Sequence, residues 1–356
     1  MMKKKVFIFL QSEVGGAERV SVTIGKNLDK NLFDVFFYAV GPWECKIKDF
    51  IPTDMFKGHL KHSNPFKLLI SLYKAIRKES PDIVFSSTMY ISTKLLLLQP
   101  FFKRVKFIVR SENNFFTFSN RQQWMIRRLY RRAQKVIAQT DEMRTELVET
   151  ACLPEEKVIA IQNPQDFKTI SIMAQETNPF ADVSKRYFVA SGRFAPAKGF
   201  DILIQAFAKV VKQIGNAELY IVGRNSGPNE SYYKQIQESI DSLGLKEKIH
   251  CVGHQKNPYV YVKNADCFVL SSRNEGLPNV LIEALYLGTP AAATRCIPAI
   301  ARIVEEGKTG TLAEPENPDE LANAMLDAVK FGRIHSCYPM DTMPKFNNLF
   351  KSVLGI

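Results

Sequence analysis

The chain has 356 residues, of which 46% are hydrophobic and 24% are charged. This length suits two domains, and this composition is typical of a globular protein rather than a disordered or fibrous one. No apolar run approaches the roughly 18 residues that a membrane-spanning helix needs, so a transmembrane helix is not expected.

The net charge of +12 is concentrated in the first half of the chain. Residues 1–165 contain 27 Lys and Arg against 16 Asp and Glu, whereas residues 166–356 contain 21 against 20. The asymmetry favours an anionic partner for the first half, such as a membrane surface, a lipid phosphate or a nucleic acid. Six cysteines without paired spacing indicate reduced thiols and a cytosolic setting.

Apolar runs and amphipathic stretches alternate through the first half. Strands are predicted at residues 6–10, 35–40, 83–85, 106–109, 136–139 and 158–161. Helices are predicted at residues 17–28, 66–79, 90–99, 121–133 and 141–150. Continuous apolar strands separated by helices indicate a parallel sheet covered on both faces.

A polar stretch over residues 163–185 is predicted to be a linker, after which the alternation restarts. Strands are predicted at residues 187–190, 217–222, 249–252, 267–270 and 291–293, and helices at 201–211, 232–243, 278–287 and 318–330. We expect two doubly wound α/β domains with a cleft between them, at residues 1–165 and 166–335. A tail helix in residues 336–356 is expected to cross back to the first domain.

Two glycines, Gly15 and Gly16, lie between the first predicted strand and the first helix. Glycine lets a ligand approach the backbone, and the N–H groups of a helix start bind phosphate. The spacing is not G-x-G-x-x-G, which disfavours a nicotinamide cofactor. A plain strand-to-helix turn is the alternative.

The same arrangement follows the first strand of the second half, where Gly192 and Gly199 enclose Arg193 and Lys198. Two cations five residues apart, before a helix, suit a diphosphate held without a metal. They would also neutralise a departing phosphate. A solvated pair of cations on a loop is the alternative.

Two acids, Glu275 and Glu283, follow the strand predicted at residues 267–270. Glu275 is predicted in a loop and Glu283 in a helix whose first turn contains Pro278 and whose N–H groups offer an anion site. Eight helical residues rise about 12 Å, which is too far for two carboxyls acting on one glycosidic bond. Two contacts with one extended ligand fit better, and a helix-start acid beside an exposed acid is the alternative.

These three motifs resemble those of retaining glycosyltransferases of family 4, which have the GT-B fold of two Rossmann-like domains facing a central cleft. The resemblance covers nearly the whole chain. Its most specific part is Glu275-x7-Glu283 together with Gly276, Pro278 and Asn279.

The resemblance implies that a nucleotide-activated sugar, most often a UDP-sugar, binds mainly to the C-terminal domain. Arg193, Lys198 and Glu275 would be the catalytic residues: the two cations would hold the diphosphate, and Glu275 would contact the sugar. Glu283 would bind the ribose, and the nucleobase would lie near residues 253–255. The implied binding residues for the nucleotide sugar are Gly15, Gly16, Gly192, Gln255, Gly276, Asn279, Val280, Leu281 and Glu283. No metal or other cofactor would be needed, and the chain contains no Asp-x-Asp sequence.

One segment departs from the family. Many members have a histidine after the strand that ends here at Val109, whereas this chain has Arg110-Ser111-Glu112-Asn113-Asn114. We predict that these polar residues and Glu18 orient the acceptor. Glu112 as a proton acceptor and Glu112 in a capping or structural role are both open.

The stretch 121–135 is basic and contains no acid. Its cations are Arg121, Arg127, Arg128, Arg131, Arg132 and Lys135. Apolar residues at helical spacing predict a helix that packs on one face and lays its cations along an anionic membrane. Ser119-Asn120 would cap its start, and Phe115, Phe116 and Phe118 would touch lipid. A solvated basic face is the alternative.

Together these features predict a glycosyltransferase that is peripherally associated with the inner face of the cell membrane. It would move a hexose or N-acetylhexosamine from a nucleotide sugar to a lipid-linked glycan or a surface polysaccharide such as lipopolysaccharide. A sugar-nucleotide epimerase or a phosphorylase of the same architecture is the main alternative. A basic nucleic-acid-binding module is more remote, because it leaves Glu275 and Glu283 unexplained.

Overall fold

The computed structural model describes residues 2–180, 182–224, 230–335 and 341–356. The chain divides into two compact units: unit 1 comprises Met1–Gln165 with Met340–Ile356, and unit 2 comprises Asp166–Pro339. Residues 336–340, which begin the predicted tail and include Cys337, lie outside the described residues. Within the described ranges, no helix has the length and apolar character required to cross a bilayer.

Among its described residues, unit 1 contains a parallel sheet of seven strands. They are β1 Lys4–Gln11, β2 Phe33–Val40, β3 Phe56–Leu60, β4 Ile83–Ser86, β5 Lys106–Arg110, β6 Lys135–Ala138 and β7 Val158–Ala160. Their order along the sheet is β3-β2-β1-β4-β5-β6-β7. The helices between them are α1 Gly16–Asn27, α2 Pro65–Glu79, α3 Met89–Leu98, α4 Asn120–Leu129 and α5 Asp141–Thr145.

Strand β1 shows why both faces of this sheet are covered. Val6 and Ile8 are fully buried in the core that includes residues of α1, whereas Phe7 and Phe9 belong to the core on the side of α2, α3 and α4. Successive side chains of a strand point to opposite faces, so a continuous apolar run needs a helix layer on each side.

The described ranges of unit 2 contain a parallel sheet of six strands. They are β8 Arg186–Ser191, β9 Ala217–Val222, β10 Ile249–Gly253, β11 Cys267–Leu270, β12 Ala291–Thr294 and β13 Gly310–Ala313, in the order β10-β9-β8-β11-β12-β13. Its helices are α6 Phe167–Met173, α7 Phe200–Gln213, α8 Glu230–Ser242, α9 Tyr259–Asn264, α10 Asn279–Tyr286, α11 Pro298–Ile303 and α12 Pro318–Ala328.

The last helix, α13 Met343–Leu354, packs into the core of unit 1. The ring centroid of Phe350 in this helix lies 5.8 Å from that of Phe85 in β4 and 6.2 Å from that of Phe33 in β2. The side-chain oxygen of Asn347 accepts a 2.9 Å hydrogen bond from the N–H of Asp29.

The predicted linker over residues 163–185 was wrong in its first part, which forms α6. The carboxylate of Asp166 accepts a hydrogen bond from the N–H of Thr169, and Ile170 is buried beside Tyr259. Strands β3 and β13 and helices α9 and α11 were also missed, because segments of four to six residues are too short to show a period.

Both sheets have the doubly wound order that the sequence predicts. In unit 1 the order reverses between β1 and β4, and in unit 2 between β8 and β11. In such sheets a ligand binds outside the carboxyl ends of the strands at this switch point. Loops at these two places are therefore the first candidates for a site.

Candidate active site

Two loops meet at the carboxyl edge of the unit 2 sheet. The cation loop, residues 192–199, leads from β8 to α7, and the acid loop, residues 271–278, leads from β11 to α10. Because β8 and β11 are neighbours, both loops leave the sheet at its switch point.

Hydrogen bonds join the two loops along their backbones. The hydroxyl of Ser271 donates to the carbonyl of Lys198 over 2.8 Å, and the N–H of Arg273 donates to the carbonyl of Ala197 over 2.8 Å. Gly199 has a φ of 61°, and a Cβ at this position would collide with the carbonyl of Ser271. Only glycine permits this approach at that backbone conformation.

The loops bring two of the predicted catalytic side chains together. Nζ of Lys198 lies 2.5 Å from Oε1 of Glu275, and the hydroxyl of Ser272 donates to the same oxygen over 2.6 Å. The two charged side chains are only 23% and 10% exposed. An ammonium has three N–H donors, so Lys198 can retain Glu275 while it offers others to an anion. Arg193 is exposed on the same loop.

Arg273 fastens the acid loop to the cation loop and was not predicted as a functional residue. Its guanidinium donates two hydrogen bonds, of 2.8 and 2.7 Å, to Asp201 and one of 2.7 Å to the carbonyl of Pro196. It also pairs with Glu316. Burial tends to raise the pKa of Asp201, but hydrogen bonds from Arg273 and Tyr232 outweigh burial and leave that pKa below its usual value.

Helix α10 starts directly after the acid loop. Asn279 and Val280 are half-buried at its first turn, and Glu283, one turn further, is 8% exposed with the hydroxyl of Tyr259 3.5 Å from its Oε1. The side chain of Leu281 is fully buried in the core, and its N–H donates to the carbonyl of Pro278. Leu281 therefore supports the helix from below.

The remaining unit 2 residues of the predicted site lie on loops. Gly192 is half-buried and Gly276 buried in the cation and acid loops, respectively. Gln255 lies just after β10, and its side-chain amide donates to the carbonyl of Val252 over 2.6 Å. The loops after β8, β10 and β11 all leave the same edge, because the sheet is parallel.

At the corresponding edge of unit 1, β1 leads into α1 through Gly15 and Gly16. Gly15 is the N-cap, and an added Cβ there would lie 2.5 Å from Oε2 of Glu18. The side chain of Glu18 is 6% exposed. The buried carboxylate thus lies over the glycine turn.

Arg110, at the end of β5, is 1% exposed. Burial lowers the pKa of Arg110 to about 10, and the charges of Glu112 and Glu18 oppose that effect. Its Nη2 donates to the side-chain oxygen of Asn163, while Nε and Nη1 have no hydrogen-bond partner within the described parts of the chain. The two carboxylates are therefore near enough to act on one buried guanidinium.

The residues that follow Arg110 form a folded turn. The carbonyl of Glu112 accepts a 2.7 Å hydrogen bond from Gln139, and that of Asn113 accepts one of 3.0 Å from the hydroxyl of Ser111. Asn113 is exposed, and Asn114 precedes a 3-10 turn and accepts a hydrogen bond from Thr117.

Sequence reasoning missed the side chains that hold this turn. Gln139 follows β6, and its amide oxygen accepts a 2.9 Å hydrogen bond from Asn163, which follows β7. A polar residue directly after each apolar strand was the available signal, because the carboxyl ends of parallel strands share one edge.

The basic surface, defined as Arg121, Arg127, Arg128, Arg131 and Arg132, lies on α4 and the turn after it. All five are exposed. The predicted cap is present: the N–H of Ser119 donates to the side chain of Gln122 over 2.9 Å. Lys135 lies apart, in β6, where its Nζ donates to the carbonyl of Glu156.

The phenylalanines before α4 do not all face solvent. Phe115 and Phe118 are 1% and 8% exposed and belong to the core, so their predicted contact with lipid was wrong. They are buried because the turn folds inward to meet Ile126 and Leu129 of α4. Phe116 is 65% exposed and Trp124 is 59% exposed. Trp124 was missed, although its spacing from Arg121 and Arg128 places it on their face of the helix.

Two family models match the chain. Residues 14–168 match the model described as Glycosyltransferase Family 4, and residues 174–333 match the model described as Glycosyl transferases group 1. An uncharacterized glycosyltransferase of Methanocaldococcus jannaschii is 32% identical over 258 residues, which are 65% of this chain and 61% of that protein. The chain therefore spans less than two thirds of that relative's length.

A second relative is the amylovoran biosynthesis glycosyltransferase AmsD of Erwinia amylovora, 27% identical over 311 residues that cover 86% of this chain and 84% of that one. The crystal structure of Anabaena HepE in complex with UDP-glucose superposes with a TM-score of 0.81 at 19% identity and covers 99% of both chains. The fold is thus that of the GT-B proteins, and the chain belongs to glycosyltransferase family 4.

Proposed function

We propose that this enzyme transfers a hexosyl or N-acetylhexosaminyl group from a UDP-sugar to a lipid-linked glycan or surface polysaccharide, with retention and without a metal. The Lys198–Glu275 pair is the observation that carries the proposal. It supports the proposal because a cation that suits a diphosphate and an acid that suits a sugar lie on two loops that hydrogen bonds join.

Stabilisation of the leaving group is the main catalytic effect. When the bond between the anomeric carbon and the diphosphate oxygen breaks, negative charge grows on the diphosphate. Arg193 and Lys198 neutralise that charge, and preorganised charges of this kind often give the largest single catalytic contribution. The acceptor hydroxyl attacks from the face that the diphosphate leaves, and its proton goes to the departing diphosphate.

Glu275 and Glu283 bind separate parts of the donor. Glu275 is held by Lys198 and Ser272, which fixes its carboxylate for hydrogen bonds from sugar hydroxyls. Glu283 is nearly buried and serves the ribose hydroxyls. Gly276, Asn279 and Val280 line the path between the two acids.

The acceptor binds to unit 1 in this proposal. Glu18, Glu112 and Arg110 place two carboxylates and a guanidinium at the carboxyl edge of its sheet. Such groups accept and donate hydrogen bonds to the hydroxyls of a sugar. The relative named for amylovoran biosynthesis supports a glycan as the acceptor.

A thermal-shift screen of nucleotide sugars tests the donor assignment. A bound donor raises the melting temperature, because it stabilises only the folded state. Lys198→Ala should abolish the shift, whereas Lys209→Ala, at a half-buried lysine of the same unit that pairs with Asp319, should preserve it. A wild-type protein that no UDP-sugar stabilises would refute the donor assignment.

The UDP-sugar found in this screen also allows glycosyl transfer to be distinguished from epimerisation. An epimerase would convert the stabilising UDP-sugar without any acceptor, and chromatography of the nucleotide sugar would reveal the new isomer. A transferase should instead release UDP at a rate that depends on the acceptor.

The proposed membrane contact depends on the basic surface and Trp124. Reversal of both Arg127 and Arg128 to glutamate should weaken binding to equimolar phosphatidylcholine and phosphatidylglycerol vesicles by roughly tenfold or more, since each cation contributes about 1 kcal/mol. The matched control reverses Lys234 and Lys246, which are exposed in unit 2. Equal loss in both variants would show attraction by net charge alone.

A further inference from the structure

Trp43 is 64% exposed on the loop that leaves β2 at the carboxyl edge of the unit 1 sheet. The rest of the loop is anchored. Ile47 is fully buried, and its N–H donates to the carbonyl of Ser12 over 3.1 Å. Nζ of Lys46 lies 3.9 Å from Oε1 of Glu13. Trp43 thus projects from a loop that is held against the β1–α1 turn.

The place of this loop in the sheet relates Trp43 to the proposed acceptor site. The strand order β2-β1-β4-β5 puts three strand spacings between the ends of β2 and β5, or roughly 14 Å. This span exceeds one sugar ring. A ligand that touches both Arg110 and Trp43 must therefore contain more than one sugar.

Buried polar atoms lie along the same edge. Oγ of Ser12, Oγ1 of Thr88 and two guanidinium nitrogens of Arg110 have no hydrogen-bond partner among the residues that the structure describes. Ser12 follows β1, Thr88 follows β4, and Arg110 ends β5. Buried polar groups without partners cost free energy, so ligand hydroxyls that reach them gain affinity.

The chemistry of the edge favours a neutral sugar chain over a phosphate. Two carboxylates, Glu18 and Glu112, act on the single cation Arg110, so the cluster has no excess of positive charge. A pyranose ring presents an apolar face of C–H bonds and a rim of hydroxyls. The indole ring of Trp43 can pack against the apolar face, and the buried polar atoms can hydrogen-bond to the hydroxyls.

We propose that Trp43 is the stacking platform for an acceptor sugar that lies beyond the sugar receiving the transferred group. The acceptor is then an oligosaccharide that runs along the edge from β5 to β2. This inference rests on the proposed glycosyl transfer and specifies its acceptor class.

The chain has only two tryptophans, Trp43 and Trp124, which permits a direct test. Trp124→Phe leaves Trp43 as the sole reporter, and Trp43→Phe leaves Trp124. Maltotetraose, cellotetraose and chitotetraose are titrated against the methyl glycosides of their constituent sugars. We expect at least one tetrasaccharide, and none of the monosaccharides, to change the emission of Trp43, while Trp124 stays silent.

A kinetic measurement accompanies the fluorescence. Trp43→Ala should raise KM for the responding tetrasaccharide by roughly 3- to 10-fold, the size of an aromatic contact, and leave KM for the donor unchanged. Phe66→Ala, at an exposed aromatic residue of α2 in the same unit, should change neither value.

Calorimetric titration with UDP distinguishes failure of the Trp43 platform from failure of the proposed glycosyl transfer. If UDP binds and no tetrasaccharide changes the emission of Trp43, or if monosaccharides change it equally, the platform is refuted and the transferase proposal stands. If UDP does not bind, the proposed function itself is refuted.

Discussion

Both units have buried or half-buried cations at the carboxyl edge of a parallel sheet, but these cations differ in their partners. In unit 2, Lys198 is paired with Glu275, and Arg273 with Asp201, across two loops. In unit 1, Arg110 is more deeply buried, and only one of its three guanidinium nitrogens donates to a described residue.

For the proposed function, this difference predicts two modes of binding. The proposed diphosphate would share Lys198 with Glu275 on loops that are already joined without it. The proposed acceptor sugar would complete the hydrogen bonds of Arg110, so it should stabilise unit 1. Four substitutions test the contrast, in order of decreasing effect.

The strongest test replaces Lys198 with alanine. Turnover should fall on the order of 100- to 1,000-fold, the usual result of removing one group that stabilises developing negative charge. Steady-state kinetics with the donor found by thermal shift would measure it, with Lys209→Ala as the control. Turnover at the wild-type level in Lys198→Ala would remove this lysine from the mechanism.

In unit 1 the matching test is Arg110→Met. Removal of the guanidinium leaves Glu18 and Glu112 without their buried cation, which should lower the free energy of unfolding by about 3 kcal/mol. Chemical denaturation measures the loss, and Arg128→Met, at an exposed arginine of the same unit, should change it by under about 0.5 kcal/mol. Similar small losses in both variants would contradict the contrast between the units.

Arg273→Lys tests whether the fastening of the two loops matters for the donor. Lysine cannot reproduce the two parallel hydrogen bonds to Asp201, so the affinity for the UDP-sugar should fall roughly tenfold while the fold persists. Arg295→Lys is a matched control, because Arg295 also pairs with two carboxylates in unit 2, Glu306 and Glu314. Calorimetry that finds equal affinities for both variants would exclude a positioning role for Arg273.

The smallest effect concerns pH. Because Arg273 and Tyr232 hold the pKa of Asp201 below its ordinary 3.8, the contribution of this carboxylate is complete above that value and is lost as the pH falls through the folded pKa. It should not exceed about 1 kcal/mol, since the side chain is partly exposed. Arg110, with a pKa of about 10, stays charged throughout this range.

Melting curves from neutral pH to about pH 3 provide the measurement. Wild type should lose more stability than Asp201→Asn at the acid end, because the variant has no carboxylate to protonate. Parallel losses would show that Asp201 titrates equally in the folded and unfolded chain.

The sequence predicts the parts of this architecture that repeat or break a pattern. Apolar runs located eleven of the thirteen strands in the described part of the chain, and the breaks after them located the cation and acid loops. The motif around Glu275 and Glu283 assigned the chemistry by resemblance. These features are local, so their spacing along the chain was enough.

What escaped prediction depends on partners far apart in sequence. Arg273 meets Asp201 and Glu316, and Arg110 meets Asn163, only after the strands assemble. The burial of Phe115 likewise depends on the direction of a turn, which an aromatic-rich stretch does not specify. Buried polar atoms without hydrogen-bond partners arise from tertiary packing, so the residue pattern along the sequence does not reveal them.

Helix α13 has a consequence for the order in which the protein forms during synthesis. Phe346 and Phe350 of this helix are fully buried in unit 1, although they follow the whole of unit 2 in the chain. All residues of unit 2 are translated after the first segment of unit 1 and before this helix. Until α13 has been translated, Phe33 and Phe85 in the unit 1 sheet lack their ring contacts with Phe350. Folding of the nascent chain should complete unit 2 before unit 1, the reverse of the usual N-terminal-first order.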